Sequence, residues 1–216
     1  MKKKRSSEAT VKQILEVSEK LFLTKGYENT SLQNIIDELD GLTKGAIYHH
    51  FKSKEAILNA LSEKILYENN PFLAVREYGN LNGLEKIKQA FLISLDNTKQ
   101  QYYNQMLILN SNSPKLVIEM IETNKKVLAP QLLELIYEGL ADQSVQTDFP
   151  KEMSEVIMIL INLWLVSFLY PVTQHELISK IEFISTMSKN MGMDFIDNNL
   201  KERLIDVLSL LNNSNG

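Results

Sequence analysis

Cysteine is missing altogether from the 216 residues, and proline and glycine are scarce, at five and eight. The first absence removes disulfides, thiolate metal sites and a cysteine nucleophile, and it agrees with a reducing compartment, so a cytoplasmic location is expected. The second leaves few chain breakers and favours long helices. Histidine occurs only three times, and the adjacent His49 and His50 diverge by about 100° on a helix, with no suitably spaced carboxylate to complete a metal site. Neither a glycine-rich phosphate loop nor a Gly-x-Ser-x-Gly elbow is present, so no enzyme, cofactor or metal is expected. The most apolar window, Val156 to Tyr170, is shorter than the roughly 20 residues of a membrane span and contains Asn162 and Ser167. No membrane partner is expected either. Lys2, Lys3, Lys4 and Arg5 run into Ser6, Ser7, Glu8, Ala9 and Thr10 rather than into the apolar stretch of an export signal.

The formal net charge is −4. Taken whole, that argues against a polyanionic partner, but the distribution argues the reverse. Residues 1–54 carry ten Lys/Arg against seven Asp/Glu, and the remainder thirteen against twenty. The basic end is where nucleic acid is expected to dock.

Val11, Ile14, Leu15, Ser18, Leu21 and Phe22 recur at spacings of three and four, which predicts an amphipathic first helix ended by Gly26. A second is expected to open at Thr30, as the cap of a Thr30-Ser31-Leu32-Gln33 box, and to bury Leu32, Ile35, Ile36 and Leu39 before Asp40-Gly41 breaks it. A third begins at Thr43 with Ile47 and Phe51 inward, and Ser53 caps a fourth that runs from Lys54 to about Phe72. Further helices are expected at roughly Leu81 to Tyr103, Pro114 to Leu128, Pro130 to Leu140, Pro150 to Tyr170, Gln174 to Met191 and Phe195 to Leu211. No strand-like alternation competes, so the fold class is all-α.

Two short helices joined by a tight glycine-containing turn and braced by a first helix form a helix-turn-helix, which lays its second helix in the DNA major groove. In that second helix Thr43, Lys44 and Gly45 stand at the positive end of the helix dipole, and Gly45 and Ala46 leave little bulk to prevent close approach. Tyr48, His49, Lys52 and Lys54 add donors suited to phosphate. The run Thr43-Lys44-Gly45-Ala46-Ile47-Tyr48-His49-His50-Phe51-Lys52-Ser53-Lys54-Glu55, with Leu21-Phe22, Gly26-Tyr27, Thr30-Ser31 and Ile35-Ile36 before it, resembles the signature of the TetR (tetracycline-repressor-like) family of bacterial transcriptional regulators. The likeness is dense over about Thr10 to Leu66. It implies phosphate contacts from Thr30, Ser31, Thr43, Tyr48, His49 and Lys54, and base edges near Gln33, Lys44, Gly45, Ala46 and His49. One departure is the connection Leu39-Asp40-Gly41-Leu42-Thr43, one residue longer than the commonest family spacing, an insertion that would rotate the recognition helix.

The resemblance also implies a homodimer whose C-terminal domain binds a small-molecule effector and thereby releases DNA. On this reading residues 1–7 are a basic arm, 8–68 the DNA-binding domain with its helix-turn-helix at about 31–50, and 69–216 the effector-binding and dimerisation domain. The near-continuous apolar helix at about 150–170 and the helix at 195–211, with Leu200, Leu204, Val207, Leu208 and Leu211, are the expected dimer pair. Tyr102, Tyr103, Met106, Asn110, Met120, Tyr137, Trp164 and Phe168 are candidates for an adaptable effector cavity, although each is also an ordinary core residue type. The expected function is a sequence-specific DNA-binding regulator, a homodimeric repressor on a near-palindromic double-stranded operator. The alternative is the same DNA-binding protein controlled by a protein or peptide partner, or by no ligand.

Overall fold

The computed structural model describes residues 7–39, 41–68, 70–98, 100–102, 114–165 and 169–213, excepting the side chains of 114–116, 119 and 211–213. The basic run Lys2 to Arg5, and Tyr103, Met106, Asn110 and Phe168 of the expected cavity, lie outside the described residues. Every regular element among the described residues is helical, and none of these helices is long and apolar enough to cross a membrane. The chain forms two compact units, Met1–Glu68 with Tyr102–Leu107, and Asn69–Gln101 with Ile108–Gly216.

The first unit is built from α1 (Ser7–Lys25), α2 (Leu32–Asp37), α3 (Lys44–His50) and α4 (Lys54–Glu68). One side chain or more from each helix is sealed from solvent: Ile14 and Phe22 from α1, Ile35 from α2, Ile47 from α3, and Ile57 and Leu61 from α4 are all 0% exposed. Short helices such as α2 and α3 do not persist alone, so this shared burial, about 1.5–3 kcal/mol for each large side chain, is what holds them. The start of α2 lies one residue later than expected. Ser31, not Thr30, is the cap, and its box partner is Asn34, whose N–H donates to Ser31 Oγ at 3.1 Å while its side-chain oxygen accepts from the Ser31 N–H at 2.9 Å. Thr30 instead turns inward at 1% exposure. Thr43 caps α3 and Ser53 caps α4, accepting from Ala46 N–H and Ala56 N–H, each at 3.2 Å.

The second unit contains α5 (Pro71–Ala74), α6 (Gly83–Asp96), α7 (Pro114–Thr123), α8 (Ala129–Ala141), α9 (Pro150–Ile159), α10 (Gln174–Asn190) and α11 (Asn198–Asn213). Two π-helical turns interrupt the expected pattern. Asn124–Leu128 joins α7 to α8, and Leu160–Trp164 extends α9. The helix therefore runs through Pro130 rather than restarting there. A widened turn ahead of the proline loosens the ladder in which it would otherwise remove a bond and clash. The fourth expected helix is likewise split: α4 ends at Glu68, and Asn70 caps α5 with Pro71 in its first turn, accepting from Phe72 N–H at 3.0 Å.

Helices α6 and α8 cross at two glycines. A Cβ on Gly83 would sit 2.2 Å from the Gly139 nitrogen, so only glycine permits this backbone approach. Around the crossing, Phe91 stacks on Phe195 at 5.0 Å between ring centres and meets Phe72 edge-on at 5.7 Å. Of the stripe expected to serve a dimer on the last helix, Leu200, Leu204 and Val207 are buried at 0%, 2% and 8% exposure, Leu208 is half-buried, and the Leu211 side chain lies outside the described residues. Exposed apolar side chains stand on α9 and α10, at Val156, Ile159, Ile178 and Phe183, and on α11 at Leu210.

Candidate nucleic-acid interface

Recognition by α3 requires that one side of a seven-residue helix be anchored and the other left free. Ile47 supplies the anchor at 0% exposure, with Phe51 following at 8%. Thr43, Lys44, Gly45, Tyr48 and His49 are exposed, and Ala46 is half-buried. Lys44 and Tyr48 stand four apart, the spacing of neighbours on one helix face, and Lys52 lies two residues beyond the helix end at His50. Side-chain geometry bears this out. The Lys44 ammonium lies 5.8 Å from the Tyr48 ring centre, and Lys52 Nζ donates to the Tyr48 carbonyl oxygen at 2.6 Å. An outward helix that carries one ammonium beside a phenol, with a second ammonium on a carbonyl of its last turn, presents donors suited to phosphate oxygens and base edges.

The connection that aims α3 passes through Gly41 at φ +73°, a left-handed conformation that costs other L-residues strain. On α2, Ser31 and Gln33 are exposed, and Gln33 Nε2 donates to Asp37 Oδ1 at 2.7 Å. Two expected phosphate contacts are placed differently. The Thr30 hydroxyl donates to the Gly26 carbonyl at 2.8 Å, which ties the end of α1 to the start of α2. Lys54 is half-buried, with its ammonium 3.9 Å from the Tyr27 ring centre and donating to the Tyr27 carbonyl oxygen at 2.8 Å. Burial, then the Glu55 and Glu28 charges, push the Tyr27 hydroxyl far above its ordinary pKa, so the ring meets Lys54 as a neutral phenol. Lys54 thereby braces the turn after α1 against the start of α4.

Of the residues expected at an effector cavity, Tyr102 belongs to this first unit. Its hydroxyl donates to the Phe22 carbonyl oxygen at 2.8 Å, near the end of α1. In the second unit Met120 is half-buried on α7 and Tyr137 is exposed on α8. Trp164 lines an apolar cavity of about 440 Å³. Nothing in the sequence distinguished the cavity's aliphatic residues from plain core, because both are read from the same helical spacing. The Lys54–Tyr27 pair was equally hidden, since its partners are 27 positions apart.

Comparison with known proteins points the same way. A family model described as bacterial regulatory proteins, tetR family, matches residues 14–61. The HTH-type transcriptional repressor KstR2 of Mycolicibacterium smegmatis is 26% identical over 149 residues, 65% of this chain and 70% of that protein. The HTH-type transcriptional regulator TtgR of Pseudomonas putida is 39% identical over 71 residues, and the chain covers only a third of its length. Among solved structures, a transcriptional regulator of the TetR/AcrR family from Thermobifida fusca superposes with a TM-score of 0.54 at 24% identity, covering 94% of this chain and 97% of that one. That structural likeness extends the shared fold beyond the head to the C-terminal helices.

Proposed function

We infer that this chain, a member of the TetR family of bacterial regulatory proteins, is a sequence-specific DNA-binding transcriptional regulator: a cytoplasmic homodimeric repressor that a small-molecule effector releases from a near-palindromic operator. The observation that carries the DNA-binding part is the outward Lys44 and Tyr48 on a helix pinned by Ile47, with Lys52 folded back onto its last turn. One short helix with so few cations binds weakly and with strong salt dependence, so two heads in one molecule are needed for useful affinity. The similarity to KstR2, itself named a repressor, supports the sign of the regulation. The dimer face is assigned to α9 and α10, where Val156, Ile159, Ile178 and Phe183 are 40%, 48%, 37% and 54% exposed. Isolated apolar side chains on a surface are ordinary, but four on two neighbouring segments suit burial against a copy.

An effector acts only through its differential affinity for the operator-bound and released arrangements. The test is selection of bound sites from random duplex DNA, followed by anisotropy on the selected site. Lys52→Ala should weaken all sites alike and lower the salt slope by about one, whereas Lys44→Ala should change the selected sequence. An unchanged sequence preference would remove Lys44 as a base reader. Phe183→Asp should give a monomer in sedimentation; a dimer that survives it moves the interface elsewhere.

A further inference from the structure

Resting on the effector reading above, we propose that the C-terminal unit binds an apolar carboxylate, with its hydrocarbon body in the cavity walled by Trp164 and Tyr170 and its acid group drawn to Lys180. The cavity of about 440 Å³ is the size of a site for one small ligand. Val117 and Ile121 of α7, Ile159 of α9, Leu160 and Leu163 of the following π-helical turn, and Leu169 make its aliphatic wall. Among the described residues no amine, imidazole or carboxylate lines it. A hydrocarbon body is therefore well accommodated, while any charged end must find its partner at the aromatic margin.

Lys180 is that partner. Its ammonium stands 4.8 Å from the Trp164 ring centre and 5.2 Å from that of Tyr170, and it donates to the Trp164 carbonyl oxygen at 2.9 Å. An ammonium has three donors, and this bond uses one. Lys180 forms no ion pair among the described residues. The acid that acts on it, Glu176 one turn earlier on α10, has its carboxylate taken up by the N–H and hydroxyl of Thr173, at 2.7 and 2.8 Å. Burial pulls Lys180 below its ordinary pKa, with Glu176 opposing. A half-buried cation on two cavity-lining rings thus lacks a close counter-ion, and a ligand carboxylate supplies one.

The same geometry argues against two other occupants. A lipophilic cation would seek the faces of Trp164 and Tyr170, where Lys180 already presents a like charge. A second copy that pushed a side chain in between the cavity walls, beyond packing on the outer faces of α9 and α10, would bury Lys180 further without pairing it, which is costly for an isolated charge.

Trp164 is the sole tryptophan of the chain, so its emission reads the cavity directly. The full-length protein is titrated with decanoate, decanol and decylammonium, each below its micellar concentration. Decanoate should shift the emission at the lowest concentration, decanol should need at least about tenfold more, and decylammonium should bind worst. Lys180→Met keeps an aliphatic stem against the rings, so it should bring decanoate down to the decanol level while decanol binding stays as it was. Lys180→Arg should retain the preference. Equal binding of decylammonium, a decanoate preference that survives Lys180→Met, or no response to any probe each overturns the proposal. So does a probe response that is lost as protein concentration rises at fixed probe, which gives the cavity to a second copy. A compound that releases the operator without moving Trp164 emission overturns this site and leaves the effector-released repressor standing. Decanoate that moves the emission but leaves operator affinity unchanged supports the site and overturns the release.

Discussion

In the N-terminal unit the helices are started by side chains that satisfy a backbone group only three residues away: Ser31 with Asn34, Thr43 with Ala46, Ser53 with Ala56. In the C-terminal unit local caps also start helices, Asn82 with Glu85, Thr173 with Glu176 and Asp197 with Leu200, but bonds that span much of the chain are added to them. Asn70 accepts locally from Phe72 N–H but its amide reaches Gln131, and the first two N–H groups of α6 donate to Asp142 and to Ser144, 59 and 60 residues on. Asn162 bonds to Asn124 at 2.8 Å, tying one π-helical turn to the other. The first unit is specified by local signals that converge on one surface helix. The second adds to its local caps a set of long-range bonds that join helix ends distant in the chain. Lys54 on Tyr27 and Tyr102 on Phe22 are the head's own distant ties.

The largest test of that division is Phe22→Ala. Phe22 is 0% exposed and packs edge-on to Tyr27 at 5.1 Å, so the loss should be about 3–5 kcal/mol, confined to the first unit. Far-UV circular dichroism in urea reports both units, whereas Trp164 emission reports only the second. The dichroism transition should begin earlier and the emission transition should hold its midpoint. If both move together, the two units unfold as one block and the division fails.

A smaller change on the other side is Gly83→Ala. Its new Cβ would meet backbone atoms of Gly139 at 2.2 and 2.4 Å, so α6 and α8 must part, and the cost should be about 1–3 kcal/mol. Here the Trp164 transition should move and the head's should not. Helix caps give a smaller effect still. Thr43→Ala removes the acceptor for Ala46 N–H and should cost the first unit about 1 kcal/mol. Operator affinity should fall with it, and Thr43→Ser should restore both. Wild-type binding by Thr43→Ala would mean that the recognition helix is held by Ile47 alone.

This contrast also explains what the residues disclosed on their own. The all-helical class, the order of helices, the caps at Thr43 and Ser53 and the inward Ile47 follow from spacing and cap chemistry within a few residues. The start of α2 was misplaced by one because threonine and serine stand side by side, and only tertiary structure decides which hydroxyl turns inward, as Thr30 does at 1% exposure. The π-helical turns, joined by Asn162 on Asn124, and the inward stripe of α11, packed on α6 and α10, depend on tertiary partners and leave no local signature. The cavity belongs to the same class. Trp164 was a candidate by residue type, but Lys180 reads as a solvated face until its ammonium is seen against two rings.

The finest test concerns a single carboxylate. Asp142 accepts from Gly83 N–H at 2.7 Å and from Ser144 N–H at 2.9 Å. A hydrogen bond from the Ser144 side chain and then the Gly83 N–H hold its pKa below the ordinary value against a small opposing effect of burial, with Lys86 adding to the lowering. A carboxyl whose pKa is lower folded than unfolded stabilises the fold above the unfolded value of about 3.9, and that contribution is lost as pH falls through the folded value. The C-terminal unit should therefore weaken on acidification, as followed by the urea midpoint of Trp164 emission at successive pH values. Other carboxylates, Glu176 and Asp197 among them, are shifted the same way, so the diagnostic quantity is a difference. Asp142→Asn should lie below wild type at neutral pH and converge with it in acid, where wild type has also lost the charge. Curves that coincide throughout would show that the amide replaces the carboxylate at the α6 N-terminus without loss, and that the long bond from Gly83 is held by shape and not by charge.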